Sequence, residues 1–273
     1  MKALRCPVCK APLLFQGRSL VCKKGHCFDM AKSGYVNLLT PNRMHAALPG
    51  DNRQMLRARA DCLDSGGYRP LAQALCTAAQ RHAPDAATVL DVGCGEGYYT
   101  ALLADSYLSH GKQPEIIGVD ISKAAVNLAA KRTKGAFFIA ASAFHLPVAD
   151  AVCDVACNLF APFCRQELVR VLKPGGLLFL TVPDRRHLFE LKAAVYDTPY
   201  ENGVKDAAVE GLTLLERIPV EYAMPLAKRE DIQNLFAMTP YFYRTRSEDR
   251  AKLEKLDALQ VTAQFILFIY RKP

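Results

Sequence analysis

The stretch ATVLDVGCGEGYYT, residues 87–100, limits the possible folds more than any other part of the chain. An apolar, β-branched run leads to Asp91, a glycine-rich turn follows, and helix-forming residues come next. This order is typical of a strand, a tight loop and the N-terminus of a helix. The sequence therefore predicts an α/β fold in which a backbone turn meets a ligand at the end of a strand.

The spacing of the glycines indicates the kind of ligand that the turn accepts. Gly93, Gly95 and Gly97 follow the pattern G-x-G-x-G, whereas the dinucleotide fingerprint is G-x-G-x-x-G. Glycine at 93 and 95 lets the backbone approach a ligand closely, and Asp91 can hold an ammonium group directly or through water. We interpret the turn as a site for a zwitterionic ligand rather than for a pyrophosphate.

A second acid and further alternating elements extend this pattern. The next strand, EIIGVDIS, ends in Asp120, where an acid binds the two hydroxyls of a ribose. The other predicted elements are a mostly helical segment at 52–82, helices at 122–133, 164–172, 228–238 and 248–256, and strands in AFFIAA, VCDVACNLF, the segment after KPGG, 212–223 and TAQFILFIY. Alternating strands and helices imply a mostly parallel sheet with helices on both faces.

Metal ligands are predicted near the N-terminus. Cys6, Cys9, Cys22 and His26 have the spacing C-x2-C-x12-C-x3-H, which is typical of a closed tetrahedral zinc site. Four ligands leave no open position, so we expect a structural metal that stabilises a segment too short to have its own core. Cys27 directly follows His26 and is an alternative fourth ligand, although we favour His26.

Composition narrows the function classes. Ten cysteines, no apolar run long enough to span a membrane and no secretion signal lead us to expect a cytoplasmic protein with reduced thiols. The formal net charge is +8, and residues 1–35 hold seven Lys or Arg against one acid. A basic patch of this kind is typical of a protein that binds a polyanion such as a nucleic acid.

Motifs across nearly the whole chain resemble one enzyme family. The glycine turn, the acid at the end of the next strand and KPGG resemble class I S-adenosylmethionine-dependent methyltransferases. The segments CPVCKAPL, GHCFDMAKSGYVNLL, PGD, LDSGGYRPL and MTPYFYRTR resemble the bacterial 23S rRNA guanine-N1 methyltransferases of RlmA type, which include tylosin-resistance enzymes. The resemblance implies a zinc-binding RNA-recognition module at 1–37, a linker at 38–54 and a Rossmann-like class I methyltransferase domain at 55–273.

The resemblance also implies the roles of individual residues. S-adenosylmethionine would be the methyl donor, zinc would bind the four ligands named above, and 23S rRNA would be the partner of a homodimer without membrane contact. Family contacts to the cofactor match Tyr68, Gly95, Glu96 and His187. The general methyltransferase pattern adds Asp91, Gly93, Gly97 and Asp120. Where many relatives place an acid against the adenine amine this chain has Ser142, which accepts that hydrogen bond more weakly.

The reaction implied is attack of guanine N1 on the methyl group, with removal of the N1 proton by a base or stabilisation of the anion at O6. No base is evident in NLFAPF, residues 158–163, where substrates of this fold bind. Asn158 is a candidate to orient a base edge, and Phe160 or Phe163 a candidate to stack on it. His187 is the nearby group that titrates near neutrality, although a cofactor contact suits it better.

Two other functions compete with this interpretation. A methyltransferase for a small molecule would have the same fold but no evident need for a basic zinc module. An rRNA-binding factor without catalysis would keep the zinc module, but it would not need the intact glycine turn and Asp120. Binding of S-adenosylmethionine distinguishes the second alternative, and the identity of the methylated product distinguishes the first.

Overall fold

The computed structural model describes residues 3–40, 53–203 and 207–273. The strands are β1 (Leu13–Gln16), β2 (Ser19–Cys22), β3 (Cys27–Asp29), β4 (Val36–Asn37), β5 (Thr88–Val92), β6 (Glu115–Asp120), β7 (Phe137–Ala140), β8 (Cys153–Leu159), β9 (Leu172–Pro183), β10 (Thr213–Leu226) and β11 (Leu259–Arg271). The helices are α1 (Arg53–Asp64), α2 (Arg69–His82), α3 (Tyr98–Ser109), α4 (Lys123–Arg132), α5 (Arg165–Val171), α6 (Phe189–Val195), α7 (Arg229–Ala237) and α8 (Ser247–Leu253).

Eight strands form one sheet in the order β10-β11-β9-β8-β5-β6-β7-β4. All neighbouring strands from β9 to β4 are parallel, whereas β11 runs antiparallel to both β9 and β10. The chain moves outward in one direction from β5 and in the other from β8. The carboxyl ends of β5 and β8 therefore form the switch point at which α/β sheets bind ligands. The expected mostly parallel sheet of an α/β fold is confirmed.

The sheet has a different cover on each face. Alternate residues such as Val89 and Ile116 pack with buried residues of α2 and α3. On the same side, α4 packs on Phe138 and Ala140 of β7. The residues that alternate with these along the strands, such as Leu90 and Ile117, face the other side and pack with α5 and with residues from the segment 3–40. Side chains on the two faces of a strand alternate, so this division follows directly from the strand register.

Residues 3–40 are part of the main core. Strands β1, β2 and β3 form a small antiparallel sheet, and β4 pairs in parallel with β7 at the edge of the large sheet. Leu4 forms a β-bridge with Val148, the amide N of Arg5 donates to the carbonyl of Pro147 at 2.9 Å, and Ala149 N donates to Ala3 O at 2.8 Å. Leucine side chains of this segment are buried in the same core as Ile117.

The segment between β7 and β8 explains this arrangement. Residues 141–152 form turns and bends but no helix. A parallel connection normally supplies a helix that covers the sheet at this point. Here residues 3–40 lie against the uncovered face, and Leu146 and Val148 of the connection are buried among them. The N-terminal module therefore occupies the place of a crossover helix.

Several details differ from the sequence prediction. KPGG was expected to form a turn before the fifth strand, but β9 runs continuously from Leu172, and its pairing with β8 shifts in register between Cys153 and Val155. Helix α6 and strand β4 were not predicted. The proposed linker, 38–54, lies largely outside the described residues, so the three domain boundaries stay a prediction. No helix in the described ranges is both long and apolar enough to cross a membrane.

Candidate active site and metal centre

The three cysteines and one histidine of the N-terminal module converge on one point. The ligand atoms of Cys6, Cys9, Cys22 and His26 all lie within 4.8 Å of one another. The Sγ atoms of Cys9 and Cys22 are 3.6 Å apart, and His26 Nδ1 lies 3.5 Å from the Sγ of Cys6 and 3.3 Å from that of Cys22. A tetrahedral zinc site has edges of about 3.8 Å between sulfurs and about 3.6 Å between sulfur and nitrogen. The donor set and its size therefore fit zinc.

Two tight turns aim these ligands. In the first, Lys10 N donates to Cys6 O at 2.9 Å, and Lys10 itself has a positive φ of 63°. In the second, Gly25 N donates to Cys22 O at 2.8 Å, and Gly25 has a φ of 82°, which glycine adopts without strain. Although burial acts to raise it, backbone N–H groups at 24 and 26 lower the pKa of the Cys22 thiol to about 6. A thiolate is the form that binds zinc.

Cys27 lies outside this group. Its side chain is exposed, and its Sγ contacts Asp29 Oδ1 at 3.8 Å rather than the other ligands. Residue 27 begins β3, where the alternating side chains of a strand turn it away from its neighbour at 26. The geometry therefore places His26, and not Cys27, beside the three cysteines.

The glycine turn after β5 has the form that a close backbone approach requires. Gly93, Gly95 and Gly97 have φ values of 81°, 56° and 84°, a region that other residues adopt only with strain. A Cβ on Gly93 would stand 2.1 Å from the Cβ of Ala161, and one on Gly97 would stand 2.9 Å from the Cβ of Ala129. Glycine at 93 and 97 thus permits close packing of the turn against α4 and against residues 160–164, which follow β8 and are called the β8 loop.

Three acids surround this turn. Asp91 is 3% exposed, and burial raises the pKa of its carboxyl to about 6 in spite of a hydrogen bond at 2.5 Å from the hydroxyl of Thr100. Asp120 accepts hydrogen bonds from Gly95 N at 3.0 Å and from Ser122 N at 2.8 Å. Glu96 is buried, burial raises its pKa, and within the described chain its Oε1 has no hydrogen-bond partner. The concentration of negative charge suits a cationic ligand.

An aromatic cluster lies beside the turn. The ring of Phe265 lies at its centre, and the distances from its centroid to those of Tyr68, Phe160 and His187 are 5.4, 5.5 and 4.4 Å. Tyr68 and His187 are buried, whereas Phe160 is 46% exposed and has a φ of 59°. A positive φ on a bulky aromatic residue stores strain that is common at ligand sites. Here it presents the ring of Phe160 at the carboxyl end of β8.

Both parts of the chain are similar to known protein families. A model of the methyltransferase domain matches residues 84–239, and a zinc-ribbon model described as RlmA, N-terminal, matches residues 4–45. The 23S rRNA (guanine(748)-N(1))-methyltransferase of Streptomyces fradiae is 40% identical over 200 residues, which cover 71% of this chain and 68% of that protein. The chain belongs to the 23S rRNA (guanine-N1)-methyltransferase family.

Two further relatives of the chain are named as putative 23S rRNA (guanine-N1)-methyltransferases. The protein from Micromonospora griseorubida is 37% identical over 209 residues, which cover 69% of this chain and 68% of the relative. The protein from Bacillus subtilis (strain 168) is 29% identical over 279 residues, which cover 98% of this chain and 96% of the relative. The predicted class I methyltransferase fold with an N-terminal zinc module is confirmed, as are its cofactors, S-adenosylmethionine and zinc.

The structure brings the residues predicted to hold the cofactor into two adjoining groups. The glycine turn, Asp91, Glu96 and Asp120 form the first, and Tyr68 and His187 belong to the aromatic cluster. Ser142 follows β7, where its hydroxyl accepts a hydrogen bond from Phe144 N at 3.2 Å and keeps a second lone pair. All of these residues lie at or near the carboxyl end of the sheet. Their roles as contacts stay a prediction.

The two weak candidates for catalysis have other partners. Asn158 is 1% exposed, and its amide donates to the carbonyl of Pro162 at 3.3 Å. His187 Nδ1 accepts a hydrogen bond from Gln264 N at 3.2 Å, so the neutral ring has its proton on Nε2 and acts there as a donor. Burial, aided by the charge of Lys192, lowers the pKa of His187 to about 3. These properties do not suit His187 to remove a proton from guanine.

Three residues of the site were not predicted from the sequence. Thr100 bonds Asp91, Phe265 stands at the centre of the aromatic cluster, and Arg132 donates to the carbonyl of Glu96 at 3.2 Å. Thr100 lies in the same stretch as the glycine turn, so its spacing from Asp91 was a usable signal. Phe265 and Arg132 come from distant parts of the chain, and nothing in their local sequence indicates the site.

Proposed function

We propose that this methyltransferase transfers a methyl group from S-adenosylmethionine to N1 of a guanine in 23S rRNA. The observation that carries the proposal is the 40% identity to the Streptomyces fradiae enzyme, whose name specifies that base and atom. The geometry of the site supports it, because the glycine turn adjoins the exposed ring of Phe160 and both lie at the switch point of the sheet. A zinc ribbon of the RlmA type accompanies the domain.

The glycine turn and its acids are proposed to hold the cofactor. Asp91 would attract the ammonium of its amino-acid moiety, and Asp120 would accept hydrogen bonds from the ribose hydroxyls. Gly95 and Glu96 would border the cofactor, with Tyr68 and His187 closing the far side. Bound there, S-adenosylmethionine supplies an electrophilic methyl group on a sulfonium.

The β8 loop is proposed to receive the guanine. The ring of Phe160 is half exposed and is held by Phe265 and Tyr68, so it offers a rigid surface on which a base drawn out of an RNA loop can stack. Phe163 is 37% exposed in the same loop. The next residue, Ala161, packs against Gly93, so a base stacked on Phe160 would lie near the glycine turn. Because His187 acts as a donor, it suits stabilisation of a developing oxyanion better than proton removal.

The zinc module is proposed to help position the RNA. Basic residues outnumber acidic ones by seven to one in residues 1–35, and phosphate contacts orient a nucleic acid without reading its sequence. Pairing of two copies and a cytoplasmic location stay predictions from the family resemblance. Sedimentation of the purified protein with and without an rRNA hairpin measures the first of these.

The decisive test is mass spectrometry of nuclease-digested 23S rRNA from a strain with and without this gene. We expect N1-methylguanine at one position to disappear on deletion and to return with the wild-type gene. A Phe160→Ala gene should restore much less methylation than a Phe163→Ala gene, because Phe160 contacts the aromatic cluster directly. Unchanged rRNA in the deletion strain would refute the proposal and favour a small-molecule substrate.

A further inference from the structure

A guanidinium lies against the glycine turn and has no role so far. Arg59 extends from α1, and its Nη1 is 3.9 Å from the position that a Cβ on Gly95 would occupy. Among the described residues, apart from Gly95 itself and its two chain neighbours, no other atom lies within 4 Å of that position. The charge of Arg59 also acts on Glu96 and on Tyr68, which are residues of the cofactor site. The space above Gly95 is thus open and bordered by a positive charge.

The acids of the cofactor site create a need for a positive charge near Gly95. Asp91, Glu96 and Asp120 suit the sulfonium and ammonium groups of the cofactor, but they repel the carboxylate of its amino-acid moiety. A carboxylate enters such a site favourably when a cation meets it. Arg59 is the guanidinium beside the open position at Gly95. Arg132, which also acts on Glu96, donates through Nη1 and Nη2 to Asp64 at 2.7 and 3.1 Å and through Nε to the carbonyl of Glu96.

We propose that Arg59 binds the α-carboxylate of S-adenosylmethionine. The inference rests on the proposed function and adds to it a residue on an element outside the methyltransferase domain match at 84–239. The planar fork of a guanidinium matches the two oxygens of a carboxylate, which gives both charge and direction. Binding of the amino-acid end by α1 makes the site select complete S-adenosylmethionine over nucleosides that lack the carboxylate.

The test compares two ligands that differ only in this group. Isothermal titration calorimetry measures the dissociation constants of S-adenosylmethionine and decarboxylated S-adenosylmethionine for the wild type, Arg59→Gln and Arg57→Gln. We expect Arg59→Gln to weaken binding of S-adenosylmethionine by about 10- to 100-fold and to leave the decarboxylated ligand within about twofold. Arg57 is on the same helix with its side chain 86% exposed, so Arg57→Gln should change neither constant.

Two other results of the calorimetry would contradict the role of Arg59. Equal loss for both ligands in Arg59→Gln would overturn the inference and make Arg59 a structural residue of α1. No loss for either ligand would overturn it as well. Failure of the wild type to bind S-adenosylmethionine would instead refute the proposed function. Arg59→Lys retains the charge without the fork, and it should lose part of the affinity for S-adenosylmethionine alone. This variant keeps the test valid if Arg59→Gln does not fold.

Discussion

The burial of Leu4 allows a direct test of whether the zinc module belongs to the core of the methyltransferase. Leu4 is fully buried, its backbone is bridged to Val148, and its side chain lies in the core that includes Ile117 and Ile139 of the large sheet. Truncation of a buried leucine to alanine costs about 2–5 kcal/mol, because transfer free energy is lost and a cavity remains. Leu4 is not a zinc ligand, so the expected loss comes from packing alone.

The size of the effect and its control follow from the same structure. For a chain of this size, each kcal/mol of lost stability lowers the melting temperature by about 2–4 °C, so Leu4→Ala should lower it by roughly 4–20 °C. Leu14 lies in the same module but is 60% exposed, and Leu14→Ala should change the free energy of unfolding by less than about 0.5 kcal/mol.

Calorimetry and urea unfolding of both variants provide the measurement. We expect one cooperative transition that moves as a whole in Leu4→Ala, with zinc still bound in the folded protein. A separate early transition of the N-terminal module, with the main transition unmoved, would refute the argument that the module and the sheet share a core. So would a loss in Leu4→Ala no larger than in Leu14→Ala.

Three further changes test the metal centre and the cofactor turn. His26→Ala should lower the zinc content measured by atomic absorption well below one per chain, whereas Cys27→Ser should not, because Cys27 lies outside the ligand group. Gly93→Ala should destabilise the protein to urea by about 2–4 kcal/mol, since a Cβ there meets Ala161 at 2.1 Å and φ is 81°. Protonation of Asp91, whose pKa burial raises to about 6, should weaken binding of S-adenosylmethionine as the pH falls from 7 to 5, by at most about tenfold per pH unit. The same titration in Asp91→Asn should have a smaller slope, to which Glu96 can still contribute, and an unchanged slope would exclude Asp91 as its source.

The sequence predicted those parts of the protein whose structure depends on contacts between residues close together in the chain. The strand, turn and helix around Asp91 follow from hydrophobic periodicity and from glycine geometry within fourteen residues. The metal ligands follow from spacing, because each pair must sit on one tight turn. In the structure His26 joins Cys6 at 3.5 Å and leaves Cys27 exposed, which spacing alone did not decide.

The parts that were not predicted depend on contacts between distant segments. Leu4 and Val148 lie in short apolar stretches without periodicity, so nothing local indicates that they pair. The absence of a helix at 141–152 leaves a sheet face open, and its cover comes from the N-terminal segment, more than a hundred residues earlier in the chain. Arg59 reaches Gly95 for a similar reason, since the position of α1 depends on packing with α3 and α7. Periodicity describes one element at a time and does not contain this information.

The replacement of a crossover helix by the zinc module has a consequence for synthesis on the ribosome. All four metal ligands lie within residues 6–26, so the module can close around its ion soon after it leaves the exit tunnel. Its apolar side has no partner until β7 and the segment that contains Val148 have been made. At the usual rates of translation that delay is on the order of ten seconds. During it the nascent chain displays an exposed hydrophobic surface on an otherwise finished module, which is the kind of surface that chaperones bind.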